Sequence, residues 1–439
     1  MARSEDLFVY LEENLVGTLV KKGTGAMSFS YDPSWLKQSE AIPISLSLGL
    51  ERERYSGPEV YNFFDNLLPD SVDIRKKLAT NVQAESDTPF DLLKAIGGDC
   101  VGALRITSSK DVKYSHKIMA ENLSEARIAK IIKELKTSPL GIRSSDDDEA
   151  FRISVAGAQE KTALLFHEGQ WKLPLGTTPT THIFKPSMGI LHNGIDLRTS
   201  VENEWLCLKL CEAFGLSVNH AEIHEFEDVR CLVVERFDRR WKTKNKLIRI
   251  PQEDMCQALG VPSHLKYEAE HREATGVRPG FKDILNLLND SDERVNDRMQ
   301  FLKANVIYWL LGAIDGHGKN FSVQMTSAGF KMTPFYDVLS VYPALKDKQI
   351  QQKQAKMAMA VGDKRHYRLF KIEPRHFFES AKKYGIPQKK LTQNLEEILK
   401  CADGLRDNIS VPKDFPEKIL TVIMEGVQEK IERLQRYLG

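Results

Sequence analysis

A chain of 439 residues, 41% hydrophobic and 28% charged, is long enough for two or three domains around a large core. Its 62 Lys and Arg against 61 Asp and Glu leave a formal charge of +1, which excludes broad nucleic-acid binding by charge alone. No apolar run approaches the roughly 18 residues of a membrane span, and MARSEDLF opens no signal peptide. Six cysteines without a C-x-x-C pair indicate neither a disulfide framework nor a zinc site. The expectation is a soluble, cytoplasmic protein with no membrane association.

In chain order, residues 1 to about 110 read as β-rich with one amphipathic helix, Val60 to about Leu78. A helix near Leu123 to Leu135 follows, then a solvated acidic loop, Ser144 to Glu149. Residues 151 to 166, FRISVAGAQEKTALLF, read as strand, bend and strand, ending at the turn His167 to Gln170. Small residues at that bend let backbone N–H groups approach phosphate oxygens. The bend shares letters with a Walker loop but lacks the glycine before Lys161 and leads into a strand, whereas a P-loop leads into a helix.

Thr181 to Pro186 is a short strand carrying Lys185, and Val201 to Phe214 a helix closed by Gly215 and carrying Glu202 and Glu204. Cys231 to Asp238 is an apolar strand that turns abruptly polar. From Pro251 onward helical signals dominate, up to a last helix with Ile419, Val422, Ile423, Val427, Ile431, Leu434 and Leu438 on one stripe. Pro262 to Pro279 and Lys346 to Arg368 read as polar or irregular loops near the active site. The expected division is 1–145, a β-rich domain; 146–250, a nucleotide-binding part; and 251–439, a helical lobe.

The chemistry concentrates in IDGHGKN and FYD, which place Asp315 and Asn320 five residues apart and Asp337 a further 17 on. Phosphoryl transfer needs one carboxylate to orient the attacking hydroxyl and oxygen ligands to hold Mg²⁺ on the phosphates of ATP. An aspartate, four residues and an asparagine, then a later aspartate, is the spacing of a kinase catalytic loop and its metal ligand. Asp315 thus reads as base, and Asn320 and Asp337 as metal ligands. The loop rises from an apolar helix, Phe301 to Leu311, and is followed by a strand, Phe321 to Gln324. The plainer alternative is that Asp315 and Asn320 only turn the chain.

Upstream, a small-residue bend, a strand lysine (Lys185), a helix glutamate (Glu204 favoured over Glu202) and a strand end resembling an adenine hinge precede the loop in kinase order. A solvated lysine is the alternative for Lys185.

With these residues laid out, the chain resembles the HipA family, serine/threonine-protein kinase toxins of bacterial toxin–antitoxin pairs. The resemblance covers nearly the whole chain and is carried by NFFDNLLPDS (62–71), FRISVAGAQEKTALL (151–165), TPTTHI (178–183), VERFDRRW (234–241), PQEDMCQ (251–257), DGHGKNFSV (315–323) and TPFYD (333–337). It implies an α+β, protein-kinase-like fold with a β-rich N-terminal part and a mainly helical C-terminal lobe.

The same resemblance implies a nucleotide loop at Ala156, Gly157, Ala158, Gln159, Glu160 and Lys161, with Lys185 on the phosphates and a hinge at Glu235, Arg236 and Phe237. Further nucleotide or metal contacts would be His317, Gly318, Lys319, Asn320, Tyr336 and Asp337, with Asp315 as the catalytic aspartate. Ser154 falls at the family's autophosphorylated serine; phosphate there would repel ATP. A turn-forming hydroxyl is the alternative for Ser154.

The implied cofactors are ATP and Mg²⁺. The implied partners are a HipB-like helix-turn-helix antitoxin, operator DNA through that complex, and an aminoacyl-tRNA synthetase as protein substrate, glutamyl-tRNA synthetase being the family's main one. The implied outcome is growth arrest and persistence. In the basic helix of residues 376–385, Lys382 matches one DNA contact of the family, Lys383 is an extra charge, and Gly385 stands where the family has arginine. The main alternative is a nucleotide-binding corepressor scaffold with little kinase activity. A small-molecule kinase is a third possibility, disfavoured by the blocks outside the site.

Overall fold

The computed structural model describes residues 4–110, 114–135, 159–191, 193–269 and 276–439. The chain divides into two compact units that interleave along the sequence. The first unit comprises Met1–Pro186, His224–His264 and Ser322–Gly329; the second comprises Ser187–Ile223, Leu265–Phe321 and Phe330–Gly439.

The first unit is rich in sheet. Its N-terminal part is an antiparallel sheet in the order Arg54–Ser56, Met27–Tyr31, Asn14–Lys21, Glu5–Leu11, Leu104–Thr107. Alternation puts Leu7, Val9, Val16, Leu19 and Phe29 into a core against the helices Pro58–Asp65 and Pro89–Ile96. The single helix expected from Val60 to Leu78 is two. Pro69 interrupts the run, and the Ser71 hydroxyl accepts from the Ile74 N–H at 3.4 Å to start a new helix, Val72–Asn81.

A second antiparallel sheet runs through Val229–Glu235, His182–Pro186, Thr162–His167, Gln170–Pro174 and Ala120–Asn122. It places Lys185 opposite Leu232. Trp171 packs edge-on against Phe184 at 4.9 Å, inside the same core. The helix expected near Leu123 to Leu135 is Glu125–Glu134, capped by the Ser124 hydroxyl at 3.2 Å from the Arg127 N–H.

The second unit is mainly helical, with Ser200–Ala213, Arg294–Leu311, Pro374–Lys383, Gln388–Ala402 and Glu417–Leu438 as its longer helices. Helix Arg294–Leu311 is buried along most of its surface, as its apolar sequence predicts. It ends where Gly312 takes a left-handed φ of 62°, a conformation that glycine adopts without Cβ strain. A Cβ there would also lie 2.8 Å from the ring of Tyr342.

On the last helix, Ile423, Val427, Ile431 and Leu434 are buried as the stripe requires. Lys430 joins them, its ammonium 4.9 Å from the Trp309 ring and 5.1 Å from that of Phe370. Burial lowers its pKa to about 8.

The segment Lys346 to Arg368, expected as irregular, contains an antiparallel strand pair, Lys356–Val361 with His366–Arg368. Its first strand reads KMAMAV and is buried almost throughout, so the alternation that marks half-buried strands is missing. Among the described residues, no helix is long and apolar enough to cross a membrane.

Candidate catalytic site

The second unit brings Asp315, Asn320 and Asp337 together. After Gly312 the chain turns through Ile314 and Asp315, where the His317 N–H donates to the Asp315 carbonyl at 2.7 Å. Gly316 passes so close to Tyr308 that a Cβ would lie 2.7 Å from its ring. A single 3₁₀ turn, Gly318–Asn320, completes the loop. Asp315 is exposed, whereas His317, Lys319 and Asn320 are buried.

Asn320 is the tie. Its Nδ2 donates to the carbonyl of Asp315 at 2.8 Å and to that of Asp337 at 3.4 Å. The amide nitrogen is thereby held on backbone, and the amide oxygen is the atom that can ligate a cation. Together with the Asp337 carboxylate it gives an all-oxygen donor set, the kind that Mg²⁺ prefers. The residues fit the metal.

Asp337 is positioned from the backbone. Phe335, two residues before it, is clamped to Ser217–Asn219, since the Phe335 N–H donates to Ser217 O at 2.8 Å and the Asn219 N–H to Phe335 O at 2.8 Å. The Tyr336 hydroxyl reaches back to the Lys319 carbonyl at 2.9 Å. Asp337 itself has φ 60°, a strained value that aspartate tolerates better than most residues. Strain held in place by flanking hydrogen bonds is a mark of a functional position. Three residues later, Asn203 of the buried helix brackets Ser340, donating to its carbonyl and accepting from its N–H, both at 2.8 Å. Beneath the loop, burial first, and then the nearby Cys211, Tyr336 and Asp337 groups, push the Tyr308 phenol well above its ordinary value, so it stays neutral.

The loop, strand lysine and hinge expected to hold the nucleotide belong to the first unit, whereas His317 to Asn320, Tyr336 and Asp337 belong to the second. Ser154, Ala156, Gly157 and Ala158 lie outside the described residues. Gln159 Nε2 donates to the Pro186 carbonyl at 2.9 Å, fastening the end of the loop to the strand that carries Lys185. Lys185 is 7% exposed, which sets it apart from a solvated strand lysine.

In the hinge segment, where the expected role falls to the backbone, the Arg236 side chain is buried in an ionic cluster. The guanidinium bonds Asp238 at 2.7 and 2.9 Å and the Thr180 hydroxyl at 2.9 Å, and the Arg236 N–H donates to Thr181 O at 2.8 Å. Asp99 joins the same cluster, 2.9 Å from Arg239 and 3.0 Å from Arg249. Burial alone would raise the Asp99 carboxyl; Arg239, Arg249 and Arg236 reverse this and hold it well below the usual carboxylate range. The VERFDRRW block therefore owes much of its peculiar composition to packing. Glu235 is exposed and Phe237 half-buried at the same strand end.

Sequence reasoning missed Asp99, Asn203 and a further residue, Tyr267, whose hydroxyl donates to Asp315 Oδ1. Asp99 acts through arginines some 140 residues away, which no local pattern reveals. On the helix Pro374–Lys383, Lys382 and Lys383 are exposed in the last turn, where their charges suit the helix dipole. Gly385 has φ 69°, a conformation that favours glycine over the arginine of the family pattern.

Two family models match the chain: the HipA N-terminal domain over residues 7–107 and the HipA-like C-terminal domain over residues 153–405. The chain belongs to the HipA family. A relative from Sinorhizobium fredii, named as a kinase, Y4mE, is 35% identical over 81% of this chain and 80% of its own length. The serine/threonine-protein kinase toxin HipA of Shewanella oneidensis is 26% identical over 100% of this chain and 97% of its own.

HipA from Shewanella oneidensis, solved in a complex with HipB and its operator DNA, superposes with a TM-score of 0.77 at 23% identity, covering 98% of both chains. The chain thus has the HipA fold, mixed helix and sheet with a sheet-rich N-terminal region, as its sequence predicts. Kinase relatives imply ATP and a divalent metal, which the oxygen donors above suit.

Proposed function

We propose that this chain is a serine/threonine-protein kinase toxin, transferring the γ-phosphate of ATP to a protein. The observation that carries the reading is the Asn320 side chain, whose hydrogen bonds at 2.8 and 3.4 Å couple the Asp315 turn to the Asp337 turn. In this reading Asp315 orients the acceptor hydroxyl and takes its proton. The acceptor oxygen bonds to phosphorus as the bond to ADP breaks. Asn320 and Asp337 hold Mg²⁺, which offsets the charge of the phosphates. Gln159 to Lys161, Lys185 and the backbone of the Glu235 to Phe237 segment are assigned to the nucleotide.

By family resemblance, the target is an aminoacyl-tRNA synthetase such as glutamyl-tRNA synthetase, and its modification causes growth arrest and persistence. Ser154 is the autophosphorylation site that shuts the enzyme off, and a HipB-like antitoxin both neutralises it and carries it to operator DNA. The similarity to HipA solved with HipB and operator DNA supports these partners.

The test is transfer of radiolabelled phosphate from Mg-ATP to purified candidate synthetases. Asp315→Asn should lower the rate about 10²- to 10⁴-fold, as loss of a positioned base does. Asp337→Asn should weaken the dependence on Mg²⁺ with a similar loss. A wild-type rate in either variant refutes the role assigned to that aspartate.

A further inference from the structure

The segment that follows Pro262 does more than flank the catalytic turn. The Tyr267 hydroxyl donates to Asp315 Oδ1, the carboxylate assigned to the acceptor hydroxyl. The residue before it, Lys266, accepts from the Gly318 N–H at 3.0 Å, and the Tyr267 ring stands edge-on to His317 at 4.8 Å and 89°.

The segment is also held from its other side. The Ala269 N–H donates to Ala358 O at 3.1 Å, while the Ala358 N–H donates to Ile314 O at 3.0 Å, so one strand residue bridges the segment and the catalytic turn. Glu268 adds an acceptor for the Ala360 N–H and an ion pair with Arg365, both at 2.8 Å. The backbone on either side of Tyr267 is therefore tied to the catalytic turn and to the strand, and the His317 ring contact sets its side chain beside Asp315.

A neutral hydroxyl donating to the base is the interaction that a serine or threonine acceptor must make before transfer. We propose that Tyr267 occupies the acceptor-hydroxyl position as an internal competitor, which a protein substrate must displace before it is phosphorylated. The inference rests on the kinase reading above. Displacing a bound competitor reduces apparent affinity by the fraction of molecules in the open form and leaves the chemical step alone. A tyrosine that instead positions Asp315 would have the opposite signature, since its loss would slow the step itself.

The experiment measures phosphate transfer from Mg-ATP to dephosphorylated casein by the full chain, as wild type, Tyr267→Phe and Tyr267→Ala. Tyr267→Phe keeps the ring against His317 and removes only the hydroxyl. The KM for casein should fall about 3- to 10-fold with kcat retained or raised, the range of one typical net hydrogen bond. Tyr267→Ala should show at least the same fall. An unchanged or higher KM in Tyr267→Phe, or a lower kcat, overturns the proposal while leaving the kinase reading intact. Absence of transfer by all three proteins to casein and to the candidate synthetases, with ATP bound, refutes the kinase reading and the proposal with it.

Discussion

Glu253 has no exposed surface, and among the described residues its carboxyl accepts from the Ser45 hydroxyl at 2.6 Å and the Leu46 N–H at 2.8 Å. Burial pushes it up to about 8 from an ordinary 4.5, against the lowering effect of those two donors. At neutral pH it is mostly protonated. A raised acid pKa gives stability that is complete below the unfolded value and is lost as pH rises to the folded one. The window is therefore from 4.5 to about 8, with a slope of at most about 1.4 kcal/mol per pH unit. Glu253→Gln keeps an acceptor for Leu46 and cannot ionise, and the Ser45 hydroxyl can rotate to accept from the new amide. The melting temperatures of variant and wild type should coincide near pH 4.5, and the variant should melt higher by a margin that grows until pH 8. Parallel curves would mean that Glu253 is not protonated in the fold. Nothing in PQEDMCQ marks this residue as buried, because its partner Ser45 lies 208 positions away. By contrast, Asp315, Asn320 and Asp337 were legible because loop chemistry is written within a few residues.

Among the elements, the helix Arg294–Leu311 and the turn after it carry the site. Gly312 both ends the helix and aims the catalytic turn, at φ 62° with Tyr342 packed against its Cα. Gly312→Ala should therefore cost about 1–2 kcal/mol for the left-handed backbone, plus the displacement of Tyr342. Calorimetry of the full chain should show a lower melting temperature, and phosphate transfer should fall with it if the turn is re-aimed. An unchanged melting temperature would refute a requirement for glycine. This turn was legible because an apolar 3.6-residue period and a glycine stop are both local signals. The strand Lys356–Val361 was not. Its burial on both faces removes alternation, and its position is set by the Ala358 bonds to Ala269 and Ile314, which only the folded chain brings together. The break at Pro69 and Ser71 was visible in the letters, but the apolar period continued across it and outweighed it.

For the whole molecule, the units interleave because short segments return to distant sheets. Gln252–Asp254 pairs antiparallel with Ser322–Met325, some 70 residues on, inside the first unit. A division by chain order could not anticipate that. Charge, however, is a property of the total, and a formal +1 leaves no general field to attract DNA. If the chain joins an antitoxin on operator DNA, its own share must come from a local patch, and Lys382 and Lys383 are exposed on one helix end. Each lysine that neutralises a phosphate steepens the fall of log K with log salt by about 0.9. In gel-shift titrations with a HipB-like antitoxin bound to operator DNA, the chain should add a slower band. Lys382→Met with Lys383→Met should then flatten the salt slope by up to about 1.8 while leaving the antitoxin's own shift unchanged. Methionine keeps the helix propensity, so the helix should persist. A slower band with the wild-type slope would remove both lysines from the DNA contact. No added band at all would count against the corepressor role, and the kinase reading would stand apart from it.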